Sequence, residues 1–71
     1  MTNLQVEIKT SLNELLYNGA RRRDMKRVSR ALRGFAKHEL TPSPKTLQKA
    51  LEFSRENDNK DILEMIEEFC A

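Results

Sequence analysis

Between Ala20 and His38 the chain carries eight cations, Arg21, Arg22, Arg23, Lys26, Arg27, Arg30, Arg33 and Lys37, against one acid, Asp24. That stretch is formally +7 in a chain of net charge +2, so the remainder sums to −5. Guanidinium and ammonium groups at this density suit one kind of chemistry, the holding of phosphate or carboxylate oxygens. On a helix advancing by about 100° per residue, with Met25 as zero, Val28, Leu32, Phe35 and Ala36 fall between about 280° and 20°. Arg22, Arg23, Lys26, Arg27, Arg30, Arg33 and Lys37 fall between about 60° and 200°. No acid enters that second arc. A helix that merely faces solvent mixes its signs, because Glu–Lys pairs four residues apart stabilise it and like charges oppose it. Five of the seven are Arg, whose planar fork binds phosphate or carboxylate bidentately.

Other chemistries find little material. His38 is the only histidine and Cys70 the only cysteine. A nucleophilic pair is therefore limited to His38 with Thr41 or Ser43, hydroxyls better explained as helix starts. Cys70, next to the last residue, has nothing around it to organise a thiolate. Glu64, Glu67 and Glu68 read as a solvated helix face rather than a cleft pair. Gly19 and Gly34 stand alone, so no glycine-rich phosphate loop exists. The expectation is a protein that is not an enzyme, with no cofactor and no metal.

These side chains must be positioned within 71 residues, of which 38% are apolar, enough for one small domain spanning 1–71 and too apolar for a disordered chain of near-zero net charge. No apolar run reaches the roughly 20 residues that cross a bilayer, and Met1 to Ser11 lacks the basic and apolar regions of a secretion signal. A cytoplasmic protein without a membrane role is expected. A domain this short buries only about 60% of its unfolded surface, so a homodimer or another partner would help it.

With two Gly, two Pro and few β-branched residues, the pattern predicts an all-α fold: four helices at about 3–18, 22–37, 44–56 and 59–70, arranged as two helical hairpins. In the first, Leu4, Ile8, Leu12, Leu15 and Leu16 share a face, Thr2 and Gln5 form a capping box, and Gly19 sits where a C′ glycine would end it. A strand is the competing reading, since Leu4, Val6 and Ile8 alternate with polar residues; it would need a partner strand across a dimer. The second helix buries Met25, Val28, Leu32, Phe35 and Ala36, and Gly34 weakens it. Ser43 caps the third with Pro44 at its first position; Leu47, Ala50, Leu51 and Phe53 face inward. Asp58 caps the fourth, which buries Ile62, Leu63, Met65, Ile66 and Phe69.

The halves align at a shift of 34 residues, Asp24 on Asp58, Val28 on Ile62, Ala31 on Met65, Leu32 on Ile66 and Phe35 on Phe69. The run from Leu51 to Leu63 is similar in texture to helical-hairpin repeats of the ankyrin or tetratricopeptide kind. The Thr-Pro-Leu-His of the first and the Trp of the second are missing, so no family function is carried over. A helix-turn-helix is disfavoured by the six-residue connector and by a third helix whose Lys45, Lys49 and Arg55 are mixed with Glu52 and Glu56. The functional expectation is a binding or regulatory module whose basic second helix contacts nucleic-acid phosphates, RNA or DNA. The alternative is an adaptor or inhibitor that docks the same face on an acidic protein or self-assembles.

Overall fold

The computed structural model describes residues 3–71 and folds them into α1 Asn3–Arg21, α2 Met25–Lys37, α3 Pro44–Glu56 and α4 Lys60–Cys70. The expected helical class and element order are present. The alternation of Leu4, Val6 and Ile8 yields to the helical period, and α1 runs straight through them. Thr2, half of the expected capping box, lies outside the described residues.

Three boundaries differ from expectation for local reasons. Helix α1 does not stop at Gly19 but continues to Arg21. Gly19 is buried inside it, and a Cβ there would stand 3.0 Å from Val28 N, Val28 Cγ2 and Arg27 Cβ. The glycine is a notch that lets α2 approach. Gly34 plays the reciprocal part: α2 passes through it intact, and a Cβ on it would overlap one Leu12 methyl and crowd the other. The second helix begins at Met25, not Arg22, because Arg23 adopts φ 58°. Asp24 N there donates to Gly19 O at 2.8 Å, the six-to-one bond of a Schellman ending. Asp24 then caps α2 by accepting from Arg27 N. The fourth helix begins at Lys60 with Asn59 as its cap, accepting from Ile62 N; Asp58 is instead the left-handed residue at φ 51°.

Both tight turns thus use one device: Asn59 N donates to Ser54 O at 2.8 Å just as Asp24 N does to Gly19 O. The turns correspond at a shift of 35 residues, whereas the buried positions Leu16 and Ala50, Ala20 and Ser54, and Val28 and Ile62 correspond at 34. The third helix closes one residue later relative to its core face than the first. Helix α2 ends the same way, with Glu39 at φ 56° and Leu40 N donating to Phe35 O at 2.8 Å.

The core is Leu16, Ala20, Val28, Ala31, Leu32, Phe35, Ala50, Ile62 and Ile66; fully burying one of its larger side chains stabilises by about 1.5–3 kcal/mol. Ala31 takes a core place that the expected face gave to Met25 and Ala36, both of which are exposed. Leu4, 65% exposed, and Val6, 48% exposed, extend past the packed region. Buried Ser54 is satisfied by donating Oγ to Ala50 O. Tyr17 meets Phe53 edge to face, centroids 5.3 Å apart.

Helix α1 packs against α2 and α3, and α4 against the same two, so α1 and α4 are diagonal. Asn13, near the middle of α1, meets Ser43 before α3, and Arg23, just past the end of α1, meets Asn57 after α3. The hairpins therefore lie side by side in one direction, α1 beside α3 and α2 beside α4. Ser43 is the cap of α3, as expected, but makes no side-chain capping bond. Its Oγ instead accepts from Asn13 Nδ2 and its N donates to Asn13 Oδ1, each at 3.0 Å.

Candidate nucleic-acid interface

The seven expected binding residues separate into three groups. Lys26, Arg30, Arg33 and Lys37 are exposed on α2 and, at helical steps, share about 60° of arc. They form a straight ridge about 16 Å long at 1.5 Å per residue. Arg22 and Arg23 are exposed but lie in the α1–α2 turn, which corrects their assignment to the second helix. Arg23 has a structural partner, donating from Nη2 to Asn57 Oδ1 at 3.0 Å, so it ties the two turns together. Arg27 leans toward α1 and pairs through Nε with Asp24 at 3.2 Å.

Arg27 is thus part of the start of α2, positioned by the residue that caps it. The ridge is different. Among the described residues, no ion pair is formed by Lys26, Arg30, Arg33, Lys37 or Arg22; the ion pairs there are Arg27–Asp24 and Lys49–Glu52. The ridge owes its straightness to the apolar spacing opposite it, since Val28, Ala31, Leu32 and Phe35 fix the rotation of α2 about its axis.

Helix α4 runs beside α2 with Asp61, Glu64, Glu67 and Glu68 exposed. No ion pair joins these acids to the ridge among the described residues. Packed helices are about 8–10 Å apart, comparable with a screening length of about 8 Å at physiological salt. The acids therefore weaken the positive potential on the α4 side of the ridge and leave it strongest on the outer side.

Between the two helices runs an open furrow. One hollow of about 530 Å³ has Met25, Ser29, Arg33 and Met65 among its walls. A second, of about 320 Å³, shares Ser29, Arg33 and Met65 and continues to Ala36, Glu68 and Phe69. Its floor is largely apolar, with Lys26, Arg30 and Arg33 on the α2 bank and Glu68 on the α4 bank. Sequence reasoning placed Met25, Ala36, Met65 and Phe69 in the core and missed the furrow. The available signal was that Met25 and Ala36 occupy the edge of the apolar arc nearest the cations.

The residues considered for catalysis are dispersed. His38 is exposed at the end of α2, the Ser43 hydroxyl is held by Asn13, and Cys70 is exposed at the end of α4. Among the described residues no cluster of His, Cys, Asp and Glu could hold a metal, and no helix is long and apolar enough to cross a membrane. Comparison with protein-family models, curated proteins and solved structures gives no match to this chain.

Proposed function

We propose that this protein is a small, non-enzymatic, cytoplasmic binding module whose basic ridge on α2 engages the phosphates of RNA or DNA. The observation that carries this reading is the ridge itself: Lys26, Arg30, Arg33 and Lys37 in line, exposed and unpaired within the described chain. Arg22 and Arg23 extend the positive surface around the turn. An unneutralised row of this kind lowers its self-repulsion when it meets a row of phosphates, releasing their counterions. The absence of an aromatic side chain on the ridge argues for backbone tracking rather than base stacking.

Engagement of about 4–6 phosphates gives a log–log salt slope near −4 to −5 on duplex. Fluorescence anisotropy with labelled duplex and single-stranded oligonucleotides at low salt tests it; no affinity for either removes the reading.

The furrow favours a second reading, docking of the α2–α4 face on a protein. Apolar floor and charged banks suit a helix laid along them. Replacing Arg30 and Arg33 by Lys separates the two. Phosphate tracking tolerates the exchange, whereas bidentate carboxylate recognition loses its geometry.

A further inference from the structure

We propose that the partner for this face is a second copy of the same chain, seated about a two-fold axis parallel to the helices. The inference rests on the protein-docking reading of the furrow and not on the phosphate reading.

A face made of one basic and one acidic helix is complementary to itself under one of its two possible two-folds. An axis across the helices lays ridge on ridge, cation against cation. An axis along them lays each α2 over the other copy's α4. Because the hairpins lie side by side with their buried faces related by 34 residues, positions 34 or 35 apart stand at the same height. With α2 starting at Met25 and α4 at Lys60, that offset sets Lys26 against Asp61, Arg30 against Glu64 and Arg33 against Glu68. Arg33 and Glu68 line one hollow together, as that register requires. Rotation about the parallel axis preserves height, so every one of these cations meets the second copy's carboxylate at its own level.

The apolar groups fit the same arrangement. Met25 is 40% exposed and lies with Met65 and Phe69 along the furrow. Face-to-face packing brings the two furrows together, so these side chains fill a shared centre while the charges close its flanks. The footprint is modest. Thirteen residues of α2 span about 20 Å, and the molecule is 20 Å across. That gives roughly 800–1,000 Å² buried in all, below the range of stable dimers and suited to a weak, reversible one. The dimer also covers the ridge, so self-association and polyanion binding exclude each other.

Sedimentation equilibrium on nuclease-treated protein at about 0.1–1 mM and low salt, concentrations chosen for a weak interface, tests the proposal. The expected result is a monomer–dimer equilibrium that weakens as salt screens the pairs. Arg30→Glu or Glu64→Arg alone should each reduce dimerisation about tenfold or more, since each reversal acts at two symmetric sites. The double variant Arg30→Glu/Glu64→Arg should restore it, with circular dichroism confirming the fold of all three. A strictly monomeric protein overturns the dimer and leaves protein docking to be judged by the Arg-to-Lys exchange. A dimer indifferent to both single reversals, or one abolished by Leu4→Ser, places the contact elsewhere and equally overturns it.

Discussion

Among the described residues, three close their helices in the left-handed region without being glycine: Arg23, Glu39 and Asp58. For an L-residue that conformation carries a penalty of roughly 1–2 kcal/mol. Glycine removes the penalty but gives back part of the gain through its looser unfolded state. Glu39→Gly should therefore stabilise the fold by about 0.5–1 kcal/mol in urea denaturation. Gly34→Ala should do the opposite, by up to about 2 kcal/mol, because overpacking against Leu12 of about 1–3 kcal/mol outweighs the roughly 1 kcal/mol that alanine gains over glycine inside a helix. Combining it with Leu12→Ala should give less than the sum of the two losses. Asn13→Ala leaves Ser43 N without its partner and should lower stability by about 1–3 kcal/mol. None of these roles was legible from spacing alone. A glycine near a helix end reads as a stop, and only the partner helix reveals it as a notch. The bond from Asn13 to Ser43 joins residues thirty positions apart, where no local pattern reaches. Pro44 was legible because its restricted φ acts where it stands.

At the scale of elements, α2 shows how a buried face fixes an exposed one. Its core residues set its rotation, and the ridge follows on the opposite side. Reversing Lys26 or Arg33 to Glu should make the log–log salt slope for duplex shallower by about 0.9 for each phosphate no longer engaged. Arg27→Gln should weaken polyanion binding least among the α2 arginines, since its guanidinium already serves Asp24. The cationic arc was legible in the sequence because helical periodicity places every residue relative to Met25. Its ends were not. Arg22 and Arg23 satisfy the same periodicity, but the Schellman ending of α1 removes them from the helix, and that ending depends on Asp24 N reaching Gly19 O. In α1, amphipathic spacing runs on to Leu4 although no described residue covers it, because period records which face is apolar and not how far the neighbours extend. Leu4→Ser should accordingly change stability by less than about 0.5 kcal/mol.

For the whole molecule, the repeat read at 34 residues marks a real arrangement: two hairpins side by side, each closed by the same turn, with their core faces in register. Its one-residue disagreement with the caps was invisible in sequence because Asp24 aligns with Asp58, an equally plausible cap, while the chain uses Asn59. The furrow was illegible for a related reason: residue type separates apolar from polar, but the line between core and groove depends on what α4 leaves uncovered.

Both tight turns lie at one pole, tied by Arg23 and Asn57. The end of α4 points away from that pole, and α1, nineteen residues against eleven, runs about 12 Å further in the same direction. A flexible peptide joining Ala71 of one molecule to the beginning of the next would therefore connect ends that lie on the same side of each domain. Such a tandem fusion raises the effective concentration of one domain for the other and so strengthens a contact that is weak between free molecules.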